Sequence, residues 1–149
     1  MMILLLNLIL MLPVQTSLPA VIVGLNDGQQ LLLQNPQFSG FIQSRDGDAI
    51  LMYRQANFHG ELSLKGISRI DFGEYKEGKP FALTVTLKNG QKVQVQTERR
   101  DFVVVKGNTD LGTVTIKHPD PLSSPVKISS RTPNRKNDLT IQYLEFPSS

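Results

Sequence analysis

Two histidines, one Asp-Gly-Asp triplet, scattered serines and one basic run are the side chains in this sequence that could do chemistry. His59 and His118 each adjoin a turn residue, Gly60 and Pro119. A zinc site needs three or four ligands at recognisable spacing, and nothing around either imidazole supplies them. Both are expected as exposed turn histidines rather than metal or catalytic groups. Asp46-Gly47-Asp48 has the closely spaced carboxylates of a calcium loop. Such a loop also wants a bidentate Glu at its twelfth position; counted from Asp46, that position is Asn57. The triplet reads instead as a hairpin turn between FIQS and AILMY. Ser123, Ser124, Ser129 and Ser130 form no elbow or Ser-x-x-Lys pattern that would set a base against a nucleophile. With no Cys in the chain, thiol nucleophiles, thiolate metal sites and disulfides are excluded. No Gly-rich segment ends in Gly-Lys-Ser/Thr, so a phosphate-binding loop is absent too. The expectation is a non-enzyme with no catalytic, metal or cofactor-binding residues. The rival class is a hydrolytic or other enzyme using a carboxylate/His pair that sequence spacing does not reveal.

Positive charge is concentrated in one place. Lys127, Arg131, Arg135 and Lys136 fall within ten residues that contain no acidic side chain. Such a loop could contact phosphate groups or another anionic polymer; the plainer alternative is a solvated loop that keeps an edge strand from pairing. Arg99-Arg100 is a second, smaller basic feature. Nucleic acid is disfavoured, because 16 basic against 13 acidic residues give a net charge of only +3, and such domains usually carry a dense basic face. No aromatic interleaves the basic run, as single-strand binders require. The expected partner is another envelope protein or an anionic envelope polymer, with a nucleic-acid-binding small barrel as a further alternative. Oligomeric state is not legible.

The leading residues MMILLLNLILML are almost wholly apolar, and the first charged residue is Asp27. A run of about 12 apolar residues is too short to span a bilayer and matches a signal-peptide core. Against this, no Lys or Arg precedes the run, and Leu18 sits three places before a cut after Ala20. The expectation is a signal peptide over 1–20, a mature chain from about Val21 without a transmembrane span, and a periplasmic or secreted location. The alternatives are a buried N-terminal strand or helix, or a mis-assigned start.

These residues have to be positioned by strands, and the strand signals occur twice. LNDGQQLLLQ (Leu25 to Gln34) returns as LKNGQKVQVQ (Leu87 to Gln96). ILMYRQANFHGELSLK (Ile50 to Lys65) returns as FVVVKGNTDLGTVTIK (Phe102 to Lys117). A period near fifty residues marks a supersecondary unit that cannot bury its apolar face alone. Asn26-Asp27-Gly28 and Lys88-Asn89-Gly90 lie between β-prone runs, the strongest short hairpin signal, for which positive φ is expected at both central positions. QKVQVQT puts Val93 and Val95 on one face and Gln94 and Gln96 on the other. AILMY and DFVVVK are continuous apolar runs, expected centrally with both faces covered. Leu62, Leu64, Val114 and Ile116 should face the core, followed by Ile67, Ile70 and Phe72. In the last strand, Leu139, Ile141 and Tyr143 should share a face. The organisation expected is a leader over 1–20, a β-repeat over 21–72, a linker over 73–80, a second repeat over 81–130, and a polar loop with a C-terminal strand over 131–149.

LKNGQKVQVQ, FVVVKG, GTVTIKH and GELSLKGISRIDF carry a resemblance to Sm-like or SH3-like small β-barrels, of a kind repeated in exported bacterial proteins. The resemblance spans roughly residues 20 to 130 and implies a fold rather than RNA binding. The fold class expected is all-β: two tandem, related barrel-like units packed together, with a single β-sandwich as the alternative. The function expected is a non-catalytic extracytoplasmic binding or assembly module.

Overall fold

A computed structural model of the chain describes residues 18–74, 79–98, 102–118 and 140–147. The chain over these residues is all-β. In order, the strands are β1 (Ala20–Leu25), β2 (Gln30–Gly40), β3 (Ile42–Arg45), β4 (Asp48–Gln55), β5 (Phe58–Ser63), β6 (Ile67–Phe72), β7 (Ala82–Leu87), β8 (Lys92–Thr97), β9 (Val103–Thr109), β10 (Gly112–His118) and β11 (Ile141–Glu145). Among the described residues, one 3-10 turn, Leu64–Gly66, lies between β5 and β6. All eleven strands join one antiparallel sheet in the order β10-β9-β2-β1-β11-β6-β7-β8-β4-β3, with β5 added on β4.

The sheet curls into a half-barrel because β2 runs on into β3 around a corner. Gly40 there has φ +104. The Phe41 N–H donates to the Phe102 carbonyl at 2.9 Å, while the Phe41 carbonyl accepts from the Met52 N–H at 2.8 Å. Within two residues the chain passes from pairing with β9 to pairing with β4. Strands near opposite ends of the sheet are thereby tied to one continuous stretch of backbone. Phe41 is fully buried at this corner, its ring 5.7 Å from those of both Phe72 and Phe81. The rest of the core is mostly aliphatic, with Val21, Val23, Leu33, Leu51, Leu64, Ile67, Ile70, Leu83, Val103, Val105 and Leu144 each at 0 % exposure. Burying a side chain of this size stabilises by about 1.5–3 kcal/mol.

Strand pairing follows the expected alternation, with differences in detail. Val95 is buried and Gln94 and Gln96 exposed, as strict alternation requires. The two equivalent hairpins at Gly28 and Gly90 depart from the expected turn. Only the glycines take positive φ, +90 in each. Gly28 N–H donates to the Leu25 carbonyl and Leu25 N–H to the Gln29 carbonyl; Gly90, Leu87 and Gln91 repeat both bonds. This is a three-residue connection ending in a left-handed glycine, which needs positive φ at one position only. The two-residue turn with positive φ at both central positions occurs instead at Asp46 (+50) and Gly47 (+79), joining Arg45 to Asp48. The expected hairpin at that triplet is therefore present. In β4 and β9, Leu51, Val103 and Val105 are buried, but Ile50, Met52 and Val104 are only half-buried. One face of each run is partly open to solvent.

The last strand differs most. Ile141, Leu144 and Phe146 are buried, while Tyr143 lies half-buried on the other face. Between Leu25 and Gly24 the partner changes from Ile141 to Tyr143, so Gln142 is an extra residue, and the bulge shifts the phase of everything after it. β6 has the same device: Ile67 pairs with Leu87 and Arg69 with Thr86, leaving Ser68 as the extra residue. Leu139 lies outside the described residues.

The sheet order reads the same from either end once β1 is matched with β7, β2 with β8, β4 with β9, β5 with β10 and β6 with β11. Registers agree with that matching. Leu25 faces Ile141 as Leu87 faces Ile67, and Val23 faces Leu144 as Val85 faces Ile70. Asn26 N–H donates to the Thr140 carbonyl and Lys88 N–H to the Gly66 carbonyl, both at 3.0 Å. ISRIDF of β6 thus corresponds to IQYLEF at β11. The hairpin β4–β5 pairs with β8, and β9–β10 pairs with β2, so all these strands lie in one sheet. Within these hairpins Tyr53↔Gly60 matches Gly107↔Val114, two residues away from the alignment read in the sequence.

Candidate functional site

Three groups of polar or exposed side chains emerge from this sheet. The first unites a histidine with carboxylates. His59 on β5 stands opposite Arg54 of β4, which in turn stands opposite Gln96 of β8. This order brings Glu98, just past β8, within reach: His59 Nδ1 lies 3.1 Å from Glu98 Oε1. Met52, His59, Gly60, Glu61 and Glu98 line a cleft of about 440 Å³ there. A carboxylate that orients an imidazole is one part of a nucleophile-activating set. The cleft lining contains no Ser, Thr, Cys or Lys to be activated. The imidazole is 56 % exposed, so the contact contributes little to stability.

The second group lies at the centre of the sheet, on matched positions of β6 and β11. The Arg69 guanidinium lies 3.9 Å above the Tyr143 ring, and its Nη2 is 3.0 Å from Asp71 Oδ1 and its Nη1 3.9 Å from Glu145 Oε1. The Tyr143 hydroxyl accepts a hydrogen bond from the Gln30 amide. Tyr143 can lie flat on β1 because residue 24 is glycine; a Cβ there would fall 2.1 Å from the ring. The cleft beside the cluster also takes in Ser68, Thr86, Lys92, Phe146 and Pro147. Opposite charges answer one another within the cluster, which binds β6 to β11 more readily than it would hold a charged ligand.

The third group is the pair of hairpin tips and outer strands. Among the described residues, β10 pairs only with β9 and β5 only with β4. At the tip of β9–β10, Leu111 is 96 % exposed; at the matched tip of β4–β5, Phe58 is 58 % exposed. These two strands are outermost in the two matched halves.

The side chains singled out in the sequence are placed as follows. His118 is not an exposed turn residue: it is 2 % exposed at the end of β10, with its ring 4.9 Å from Phe72 and 5.2 Å from Phe81. By the hairpin matching it occupies the place of buried Leu64, so a flat imidazole completes an aromatic cluster where the other half uses an aliphatic chain. His59 is exposed as expected, but its link to Glu98 could not be read from sequence, because the two are joined only through the β4–β8 pairing. The Asp48 carboxylate accepts from the Ser63 hydroxyl at 2.8 Å and the Ala49 N–H at 2.7 Å, holding β4 to β5. Among the described residues, no group of three or more His, Asp or Glu could hold a metal ion, and no helix is long and apolar enough to cross a membrane. Lys127, Arg131, Arg135 and Lys136 lie outside the described residues, as do Arg99, Arg100 and the leader up to residue 17. The Arg69–Tyr143 cluster was missed; the likeness of ISRIDF to IQYLEF was the available signal.

No protein-family model matches the chain, and no curated protein or solved structure matches it.

Proposed function

We propose that this chain is a non-catalytic binding or assembly module of the extracytoplasmic space, formed from two related β-units that exchange hairpins within one sheet. The observation that carries the reading is the matched pair of outer strands, β5 and β10, each beside an exposed apolar tip residue, Phe58 or Leu111. A strand that pairs on one side only can take a partner's strand by main-chain hydrogen bonding. Large apolar side chains at such tips add area that a partner removes from water. The equal registers, bulges and turn bonds of the two halves support duplication. The apolar leader supports export, with an envelope protein or anionic envelope polymer as partner.

The test is to replace Phe58 and Leu111 together by Ser and measure retention of envelope components from the native host on immobilised protein. Loss of retention with an unchanged unfolding curve is expected. Retention equal to the parent would remove the hairpin tips from the binding surface.

The cleft at His59 and Glu98 favours one second reading. There the imidazole acts as a general base, and the hydroxyl or water that it activates arrives with the substrate.

A further inference from the structure

We propose that the concave face of the β7-β8-β4-β5 end holds a binding site for a single aliphatic chain of a small neutral amphiphile. This goes beyond the outer-strand reading above and does not depend on it. A cleft of about 220 Å³ opens there, lined by Leu51, Tyr53 and Gln55 of β4, Leu62 of β5, Val85 and Leu87 of β7, and Val93 and Val95 of β8. Tyr53 and Gln55 are the only polar side chains of that lining, and none is charged. An apolar cavity of about 150 Å³ is enough to take up a small hydrocarbon.

The two halves of the sheet allow a comparison within one molecule. The matched place in the other half is built from Val23, Leu25, Leu31, Leu33, Val105, Gly107, Thr109 and Ile116. That place is more nearly closed, although Leu31 is half-buried like its counterpart Val93. Leu25 and Ile116 are each 2 % exposed and Leu33 is at 0 %, whereas their counterparts Leu87 and Leu62 are half-buried and Val95 is at 7 %. Three side-chain differences distinguish the two places. Leu31 and Leu33 stand where the open half has the shorter Val93 and Val95. Gly107 stands where the open half has Tyr53, and the Leu33 side chain presses on it so closely that a Cβ would lie 2.7 Å from Leu33 Cβ. The same backbone thus has a filled version and an unfilled version of one site. The unfilled one presents half-buried aliphatic groups to whatever enters. Its uncharged lining suits a hydrocarbon chain whose head remains in water or meets the Gln55 amide.

The experiment uses the full chain with 1-octanol as the probe, following methyl resonances of Val, Leu and Ile. Saturable shifts are expected at Val93, Val95, Leu62 and Leu87, with none at Leu25 or Ile116. The double variant V93L/V95L, which copies two of these three differences, is expected to keep its unfolding temperature or raise it and to bind about tenfold more weakly or less. V93L alone serves the same purpose if the double variant does not fold. Undiminished binding in the filled variant, shifts spread equally over both halves, or no saturable shift would each overturn the assignment. Shifts of the same methyls that grow with protein concentration, without probe, would assign the cleft to a second copy of the chain and overturn it equally.

Discussion

Gly40→Ala should be among the most damaging single-methyl additions to this chain, and its size can be worked out from two separable causes. Residue 40 has φ +104, where an L side chain costs about 1–2 kcal/mol. A Cβ there would also fall 2.2 Å from the Phe102 carbonyl oxygen, a backbone atom that cannot rotate aside. Overpacking of this kind adds about 1–3 kcal/mol, for a total of about 2–5 kcal/mol. Gly28 and Gly90 provide controls within the same molecule. Both have φ +90 with nothing within 4 Å of the added Cβ, so Gly28→Ala and Gly90→Ala should cost only the backbone part and should agree with each other. Urea unfolding followed by circular dichroism measures all three. With a slope of about 1–3 kcal/mol per molar, the Gly40 midpoint should fall by about 1–3 M and those of the controls by about a quarter to two-thirds as much. Equal shifts for the three variants would refute the corner at which β2 turns into β3.

Phe41→Ala, which empties the centre of the Phe72–Phe81 cluster, should destabilise by about 3–5 kcal/mol in the same assay. His59→Gln should change stability by no more than about 0.5 kcal/mol; on the binding-module reading it leaves retention of envelope components intact, whereas loss of a measurable hydrolytic turnover would favour the second reading. Replacing Lys127, Arg131, Arg135 and Lys136 together by Gln should leave the unfolding midpoint nearly unchanged, since exposed charges contribute little, and should weaken low-salt binding to envelope extract if this loop meets an anionic partner.

Alternation and turn residues were enough to read an all-β chain, because period-two patterns such as QKVQVQT permit only one buried face. The hairpins at Asn-Asp-Gly and Lys-Asn-Gly were legible, but not their three-residue geometry. The bulges at Ser68 and Gln142 were not, since an extra residue leaves no mark except a broken phase. That break is why Tyr143 was expected on the face of Ile141, whereas Leu144 is the one buried with it. The pairing of β4 with β8 and of β9 with β2 was also invisible, because the pattern of a strand does not name its neighbour. His118 was misjudged because the adjacent Pro119 suggests a turn, while the three-dimensional match to Leu64 buries the ring. Candidate sites fared least well. His59 and Glu98, or Arg69 and Tyr143, meet only after the whole sheet is assembled, so no local spacing announces them.

Amide hydrogen exchange of the two outer strands, with and without material captured from the native host's envelope, tests the binding-module reading most directly. Amides of Phe58–Ser63 or Thr113–Lys117 should slow by about tenfold or more when partner is bound, while those of β1, β6 and β11 at the centre of the sheet should not change. Exchange at both outer strands that is unaltered by a bound partner would contradict the account.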